Sequence, residues 1–416
     1  MRRAVCIVSP GNLASNPRVL KEADALHGAG YDVTAIVCDY NEALRQADDE
    51  IEAVAPWKAI RVPRARGEGV RARAVEQLAR MLSSLGSSVP VSVAALSART
   101  PVGALMRRAP EVPADLYIAH YVAALPAVAA AARRHGALIG FDAEDFHSGE
   151  GTDAPGDEFR MRMIQTVEQA ILPSCSHMTA AAPLIGKAYA TRYGVACPAT
   201  LLNVFPLAMA PSHQRSARAA EGTRTFRAYW FSQTIGLDRG LQAFIKAMSL
   251  ATTRVTLDIR GSNRWGHGDA LMALAASLGL GDRVQLLPMA APSEMVRLAA
   301  DYDVGLSLET DVSENRRLCL TNKVFTYLLA GVPVVMSDTP AQKLLAPDLG
   351  PAARLCALDD PAGLAVTLDA LASASRLAEA SQAAWRLGRE RYNWDREQNV
   401  LLQSVAAAFA RQDRVR

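Results

Sequence analysis

Apolar residues in this chain fall into short unbroken runs and stripes at helical spacing, and the two alternate. Ala4 to Ser9, Tyr31 to Val37, Leu116 to Ala119 and Ala137 to Phe141 have the length and composition of buried parallel strands. Between the first two, the loop Pro10 to Asn16 leads to Pro17 at a first helical position, with Val19, Ala23 and Leu26 on one face. From Pro206 to Arg224 the chain is rich in Pro, Ser, Ala and Arg and has no period, as a linker does. Alternation then restarts at Phe226 to Phe231, Val255 to Ile259, Val284 to Leu287, Val304 to Leu308 and Val332 to Met336. Trp394 to Arg411 reads as one long helix with Val400, Leu401, Val405, Ala408 and Phe409 on its apolar side. The expected fold is α/β, with two doubly wound domains facing across a cleft. They span residues 1–207 and 225–392, with a linker at 208–224 and a C-terminal helix at 393–416 packing back on the N-terminal domain.

The stretch Glu309 to Asp338 concentrates the candidate chemistry. Val304 to Leu308 and Val332 to Met336 flank a helix that Thr321 can cap, with Val324, Phe325, Leu328 and Leu329 at helical spacing and Gly331 closing it. In such a βαβ unit a ligand binds outside the carboxyl ends of the strands, and the first helical amides favour an anion. Asn322 and Lys323 occupy that first turn, although Lys323 equally fits a solvated surface lysine.

Composition narrows the field. A chain of 416 residues, half of them hydrophobic, suits two domains of roughly 200 residues. A formal net charge of +3 lacks the concentrated basic face of a nucleic-acid binder. The six cysteines, Cys6, Cys38, Cys175, Cys197, Cys319 and Cys356, show no metal-ligand spacing and suit a reduced, cytoplasmic compartment. No apolar run approaches the ~20 residues of a membrane span, and Met-Arg-Arg leads into a strand rather than a signal peptide.

Three segments, Ser15 to Val33, Trp230 to Leu241 and Asn322 to Asp338, together resemble retaining GT-B glycosyltransferases of family four, in order and over nearly the whole chain. The resemblance implies two Rossmann-like domains and transfer of a sugar, with retention, from a nucleotide diphosphate-sugar. The implied acceptor is a glycan, a lipid-linked sugar or a small molecule, in bacterial surface polysaccharide or glycoconjugate biosynthesis. No metal or other cofactor is implied.

By the same resemblance Arg239-Gly240 meets the donor diphosphate, and an arginine fork suits phosphate oxygens. Gly11 lets backbone amides approach sugar or phosphate. Gln233, Thr234, Arg260, Glu309, Asn322, Lys323 and Thr326 complete the implied donor set. His120, ending its strand, faces the transferred sugar, while Asp142, Glu144 and Asp145 bind acceptor hydroxyls or accept a proton. Taken alone, His120 equally fits a structural histidine, and the acids equally cap a turn.

The chain departs from the family where most members carry two glutamates seven residues apart, the second on the nucleotide ribose. Leu318 and Thr326 stand there, which leaves Glu309 or Glu314 to supply a carboxylate. A subgroup shares the Asn-Lys helix start and a Ser-Asp-Thr-Pro-x-Gln run, here Ser337 to Gln342. Two other readings remain: a nucleotide-sugar 2-epimerase-like isomerase, and a catalytically degenerate nucleotide-binding partner. Finally, Trp57 to Arg80 carries Lys58, Arg61, Arg64, Arg66, Arg71, Arg73 and Arg80, followed or interleaved by Val70, Val75, Leu78, Met81 and Leu82. It reads either as a basic amphipathic element for the inner face of the cell membrane or as a solvated arginine-rich face.

Overall fold

The computed structural model describes residues 2–63, 67–98, 102–214 and 225–415; Arg64, Arg66 and residues 215–224 of the expected linker lie outside the described residues. The chain forms two compact units. The first comprises Met1–Leu202, Ser313–Asn315 and Gln398–Arg416, and the second Asn203–Val312 and Arg316–Glu397.

The first unit carries seven strands: β1 Ala4–Val8, β2 Asp32–Asp39, β3 Lys58–Pro63, β4 Leu116–His120, β5 Leu138–Ala143, β6 Cys175–Ala180 and β7 Ala199–Thr200. They lie in the order β3-β2-β1-β4-β5-β6-β7, every pair parallel. The second unit carries β8 Phe226–Thr234, β9 Val255–Ser262, β10 Val284–Leu287, β11 Val304–Ser307, β12 Val334–Ser337 and β13 Ala353–Cys356, in the parallel order β10-β9-β8-β11-β12-β13. Strand order reverses between β1 and β4 in one sheet and between β8 and β11 in the other. Connections diverge there, and a crevice opens outside the carboxyl ends of those strands.

Three local features shape those crevices. Asn16 caps the helix Pro17–Gly28 by accepting from the backbone N–H groups of Arg18 and Val19, which frees its amide nitrogen to point elsewhere. In the second unit the helix Asn322–Ala330 is buried from Lys323 to Ala330 on every side, where the sequence predicted a single apolar stripe. It is a core helix, and its polar residues must therefore find protein partners. Thr321 sits at its N-cap, but the Thr321 hydroxyl pairs with Ser307 at 3.3 Å and not with the helix backbone. The helix Ala374–Glu390 crosses it at Gly388, where a Cβ would stand 2.5 Å from the Leu328 carbonyl oxygen, so only glycine permits this approach.

The terminal helix Trp394–Val415 packs on the first unit over its Gln398–Arg416 part. Leu401, Val405 and Ala408 are buried, Phe409 stacks on Tyr31 at 5.8 Å, and Ser404 meets His177 at 2.8 Å. The basic stretch at 57–80 divides into strand β3 and the helix Glu68–Ser84, so it is not one amphipathic element. Arg61 pairs with Asp49 and Glu52, and Arg80 pairs with Glu76 while lying over Phe159. Val75 and Leu82 turn partly inward, whereas Val70, Met81 and Leu85 are 71%, 53% and 71% exposed.

Candidate functional site

In the second unit Glu309 follows β11 and Arg239 follows β8, the two strands that flank the order reversal. The loops are drawn together by backbone proximity. Gly240 has φ +66°, and a Cβ there would stand 2.8 Å from that of Leu308, so the turn is open only to glycine. The Thr310 hydroxyl also donates to the Asp238 carbonyl at 2.7 Å.

Glu309 is a buried carboxylate facing three cations. Its Oε1 accepts from Lys323 Nζ at 2.9 Å, its Oε2 from Arg316 Nη1 at 2.7 Å, and Arg239 Nη1 stands 3.9 Å from Oε2. Ser337 fixes the Glu309 backbone by donating to its carbonyl at 2.6 Å, and Gln342 holds Ser337 at 3.1 Å. The Ser337 to Gln342 run thus braces this carboxylate. Asp238 Oδ1 also stands 3.5 Å from Arg239 Nε, so three cations face two carboxylates and leave net positive charge beside the first turns of the helices at Leu241 and Asn322. Arg239 Nε is buried with no hydrogen-bond partner, and an orphaned donor in such a place calls for an acceptor.

Other residues of the implied donor set sit apart from this cluster or turn inward. Arg260 donates to the Tyr229 hydroxyl at 2.8 Å and the Pro288 carbonyl at 2.7 Å. Gln233 is exposed near the end of β8, and Thr234 lies beyond a bulge opposite Ser262. Thr326 is fully buried and its hydroxyl bonds back to the Asn322 carbonyl at 2.9 Å, the i−4 bond common for threonine in a helix. It offers no group to a ribose in this packing. Glu314 belongs with the first unit and accepts from Arg192 at 2.8 Å.

The first unit gathers its charged groups around the ends of β4 and β5. His120 is wholly buried, with Nδ1 3.0 Å from Glu144 Oε1 and Nε2 3.1 Å from Glu22 Oε2. Two carboxylates on two ring nitrogens require both to carry hydrogen. Burial works against that charge, but Glu22 and Glu144 hold the imidazolium pKa up to about 10. Asp142 is also wholly buried; Arg18 binds it through Nε and through Nη2 at 2.6 Å, and Thr179 donates at 2.5 Å. Burial opposes ionisation there too, yet Arg18 pulls the carboxyl down to about 2. Glu22, His120 and Asp142 are spaced as metal ligands would be. Arg18 Nε, 3.3 Å from Glu22 and bonded to Asp142, already supplies the cation.

Glu144 differs from its neighbours in being a quarter exposed. Asn16, through the nitrogen its capping role leaves free, donates to Glu144 Oε1 at 2.8 Å. Burial favours the neutral acid, and the His120 hydrogen bond overrides it, so Glu144 stays ionised below its ordinary pKa. Asp145 goes the other way, pushed up to about 6 by burial, with Asn315 donating to it at 2.8 Å. Gly11 braces the first crevice, its carbonyl accepting from the Cys38 N–H at 3.1 Å. Sequence reasoning did not single out Arg316, Arg18, Glu22 or Asn16. Arg18 and Glu22 had a signal, an i, i+4 ion pair just past a proline helix start.

Tyr121, next to His120, is the sole non-glycine residue with positive φ among the described residues, at +70°. Its ring meets His147 edge-on at 4.3 Å. A conformation that costs on the order of 1–3 kcal/mol persists only where its surroundings impose it.

The whole architecture recurs in solved glycosyltransferase structures. HepE of Anabaena, in complex with UDP and glucose, superposes with a TM-score of 0.71 at 14% identity, covering 98% of this chain and 100% of that one. The sucrose-phosphate synthase of Thermosynechococcus elongatus gives 0.68 at 14% identity, with 98% and 100% covered. A glycosyltransferase of Rickettsia africae gives 0.66 at 10% identity, with 98% and 99% covered. No protein-family model and no curated protein matches the sequence. At such identities the similarity establishes the fold, two parallel α/β units of the GT-B kind.

Proposed function

We propose that this protein is a glycosyltransferase that takes a sugar from a nucleoside diphosphate donor. The observation that carries this is the cation cluster around Glu309. A diphosphate sugar brings about two negative charges, and Arg239, Arg316 and Lys323 outnumber the carboxylates Glu309 and Asp238 beside them, so the cluster meets that ligand with net positive charge. Arg239 supplies the fork for the phosphate oxygens and Lys323 the fixed charge that the departing diphosphate needs, which is where electrostatic catalysis acts. On the first unit Glu144, ionised and partly exposed, receives the acceptor hydroxyl, and Asp145 lies beside it. Retention at the anomeric carbon and an acceptor that is itself a glycan or lipid-linked sugar rest on the family resemblance.

HepE has been crystallised with UDP-glucose, which makes that compound the first donor to test. UDP release from UDP-glucose should be slow alone and faster with a panel of glycoside acceptors, with the α-anomer in the product. If none of a range of nucleotide sugars is bound or consumed, the proposal fails.

The helix Glu68–Ser84 supports a peripheral membrane contact for the same enzyme. Val70, Leu78, Met81 and Leu85 form an exposed stripe at helical spacing, with Arg71 and Arg73 exposed beside it. No helix among the described residues is long and apolar enough to cross a membrane. Sedimentation with anionic vesicles should carry the protein down, neutral vesicles should not, and Met81→Asp should abolish the effect. Equal, negligible binding to both vesicle types rejects the contact.

A further inference from the structure

The resemblance assigns His120 to the transferred sugar, yet the ring has no open nitrogen. Nε2 is held by Glu22 and Nδ1 by Glu144, with Asp142 Oδ2 a further 3.5 Å contact, and the side chain has no exposed surface. Glu144 is the member of this network that reaches solvent. Both hydrogen bonds to it, from Asn16 and His120, fall on Oε1, and no described group pairs with Oε2. One oxygen is thus clamped from two sides while the other is left for a ligand.

We propose that His120 is a positioning residue that acts through Glu144, fixing Oε1 so that Oε2 accepts the hydrogen of the acceptor hydroxyl. This rests on the transferase reading. His120 touches no sugar; it supplies the charge and the geometry that keep Glu144 ionised in a site where burial alone would neutralise it. The charged or titratable groups facing His120 are Arg18, Lys21 and Glu22 from the helix Pro17–Gly28, Asp142 and Glu144 from the end of β5, and His177 from β6. His120 and Arg18 are charged and stand against Asp142 and Glu144, while burial and Asp142 push the Glu22 carboxyl up and burial brings Lys21 down to about 7, so the cluster is close to neutral and Glu144 can remain an anion.

Two measurements test this. Histidine side-chain NMR on the full chain should show His120 charged well above neutral pH, and Glu144→Gln should lower its proton affinity by about tenfold or more. A wild-type His120 that titrates near neutrality, or one that ignores Glu144→Gln, overturns the proposal. The second measurement is a double-mutant cycle on UDP release from UDP-glucose with octyl glucoside as the acceptor probe. His120→Gln and Glu144→Gln should each lower acceptor kcat/KM by about 100-fold, the double variant should be no worse, and UDP affinity should be unchanged. Losses that multiply in the double variant mean that His120 contacts substrate directly and sink the idea. A wild type that binds no UDP and leaves UDP-glucose untouched counts against transfer from that donor, while the NMR titration still decides the pairing.

Discussion

Arg239→Ala is expected to weaken nucleotide-sugar binding by about 2–3 kcal/mol, or roughly 30- to 150-fold in Kd, with little loss of fold stability. The asymmetry follows from its surroundings. Arg239 is one-fifth exposed, lies 3.9 Å from Glu309, and its Nε makes no hydrogen bond, standing 3.5 Å from the exposed carboxylate of Asp238, so the folded protein gains little from it without a ligand. Lys323→Ala should differ. Lys323 is 2.9 Å from a carboxylate that is 2% exposed, and removing it leaves Glu309 with a weaker set of partners, so stability and binding fall together. Thermal-shift titration with UDP and UDP-glucose separates the two, because a ligand present at 100 times its Kd stabilises by about 2.7 kcal/mol. Unchanged affinity in Arg239→Ala would remove the diphosphate from this site. Glu309→Gln sharpens the reading further. If Glu309 only organises cations, the variant keeps or improves anion binding while losing stability; if it holds a ribose, affinity drops with the other changes held constant.

The strands legible from sequence are those that begin on valine and carry further apolar residues. Val304–Ser307 and Val334–Ser337 are fully buried parallel strands, and Val284–Leu287 is a parallel edge strand with Val284 buried; their composition nearly suffices to place them. Those that escaped lack that pattern: Cys175–Ala180 interleaves Ser, His and Thr among its apolar residues, Ala353–Cys356 carries an arginine in four residues, and Lys58–Pro63 includes two basic residues that suit a charged helix equally well. Their pairing partners, not their own composition, make them strands. The site divides in the same way. Lys323 is marked in the sequence by a helix start, and Arg239 by the family resemblance of the Arg239-Gly240 pair. Arg316 could not, since its bond to Glu309 depends on how the 309–321 segment folds. Arg18 and Glu22 resemble an ordinary surface pair until the sheet buries both to 2% or less. The identity of the carboxylate on His120 is likewise a tertiary fact, set by Glu144 and Glu22 arriving from different elements.

That burial makes the first unit depend on Arg18. Arg18→Met should destabilise it by about 3–5 kcal/mol, because Asp142 would be left buried without the guanidinium that holds it ionised. The pH dependence gives the sign. In the wild type the Asp142 pKa is depressed from 3.8 to about 2, so its stabilisation is complete above 3.8 and is lost as pH falls through about 2. Without Arg18 the burial that now opposes ionisation prevails, and the Asp142 carboxyl rises above its unfolded value. Its penalty is then greatest at neutral pH and is relieved by acid, so the gap between variant and wild type narrows from pH 7 towards pH 5. Arg18→Met/Asp142→Asn removes the unpaired charge and should recover much of the loss, since replacing both partners of a buried pair costs far less than breaking it. Urea unfolding of the first unit at the two pH values reads all three proteins. A gap that is constant with pH, or a double variant no better than the single, would mean that the Arg18 side chain serves mainly as packing and that the ion pair contributes little.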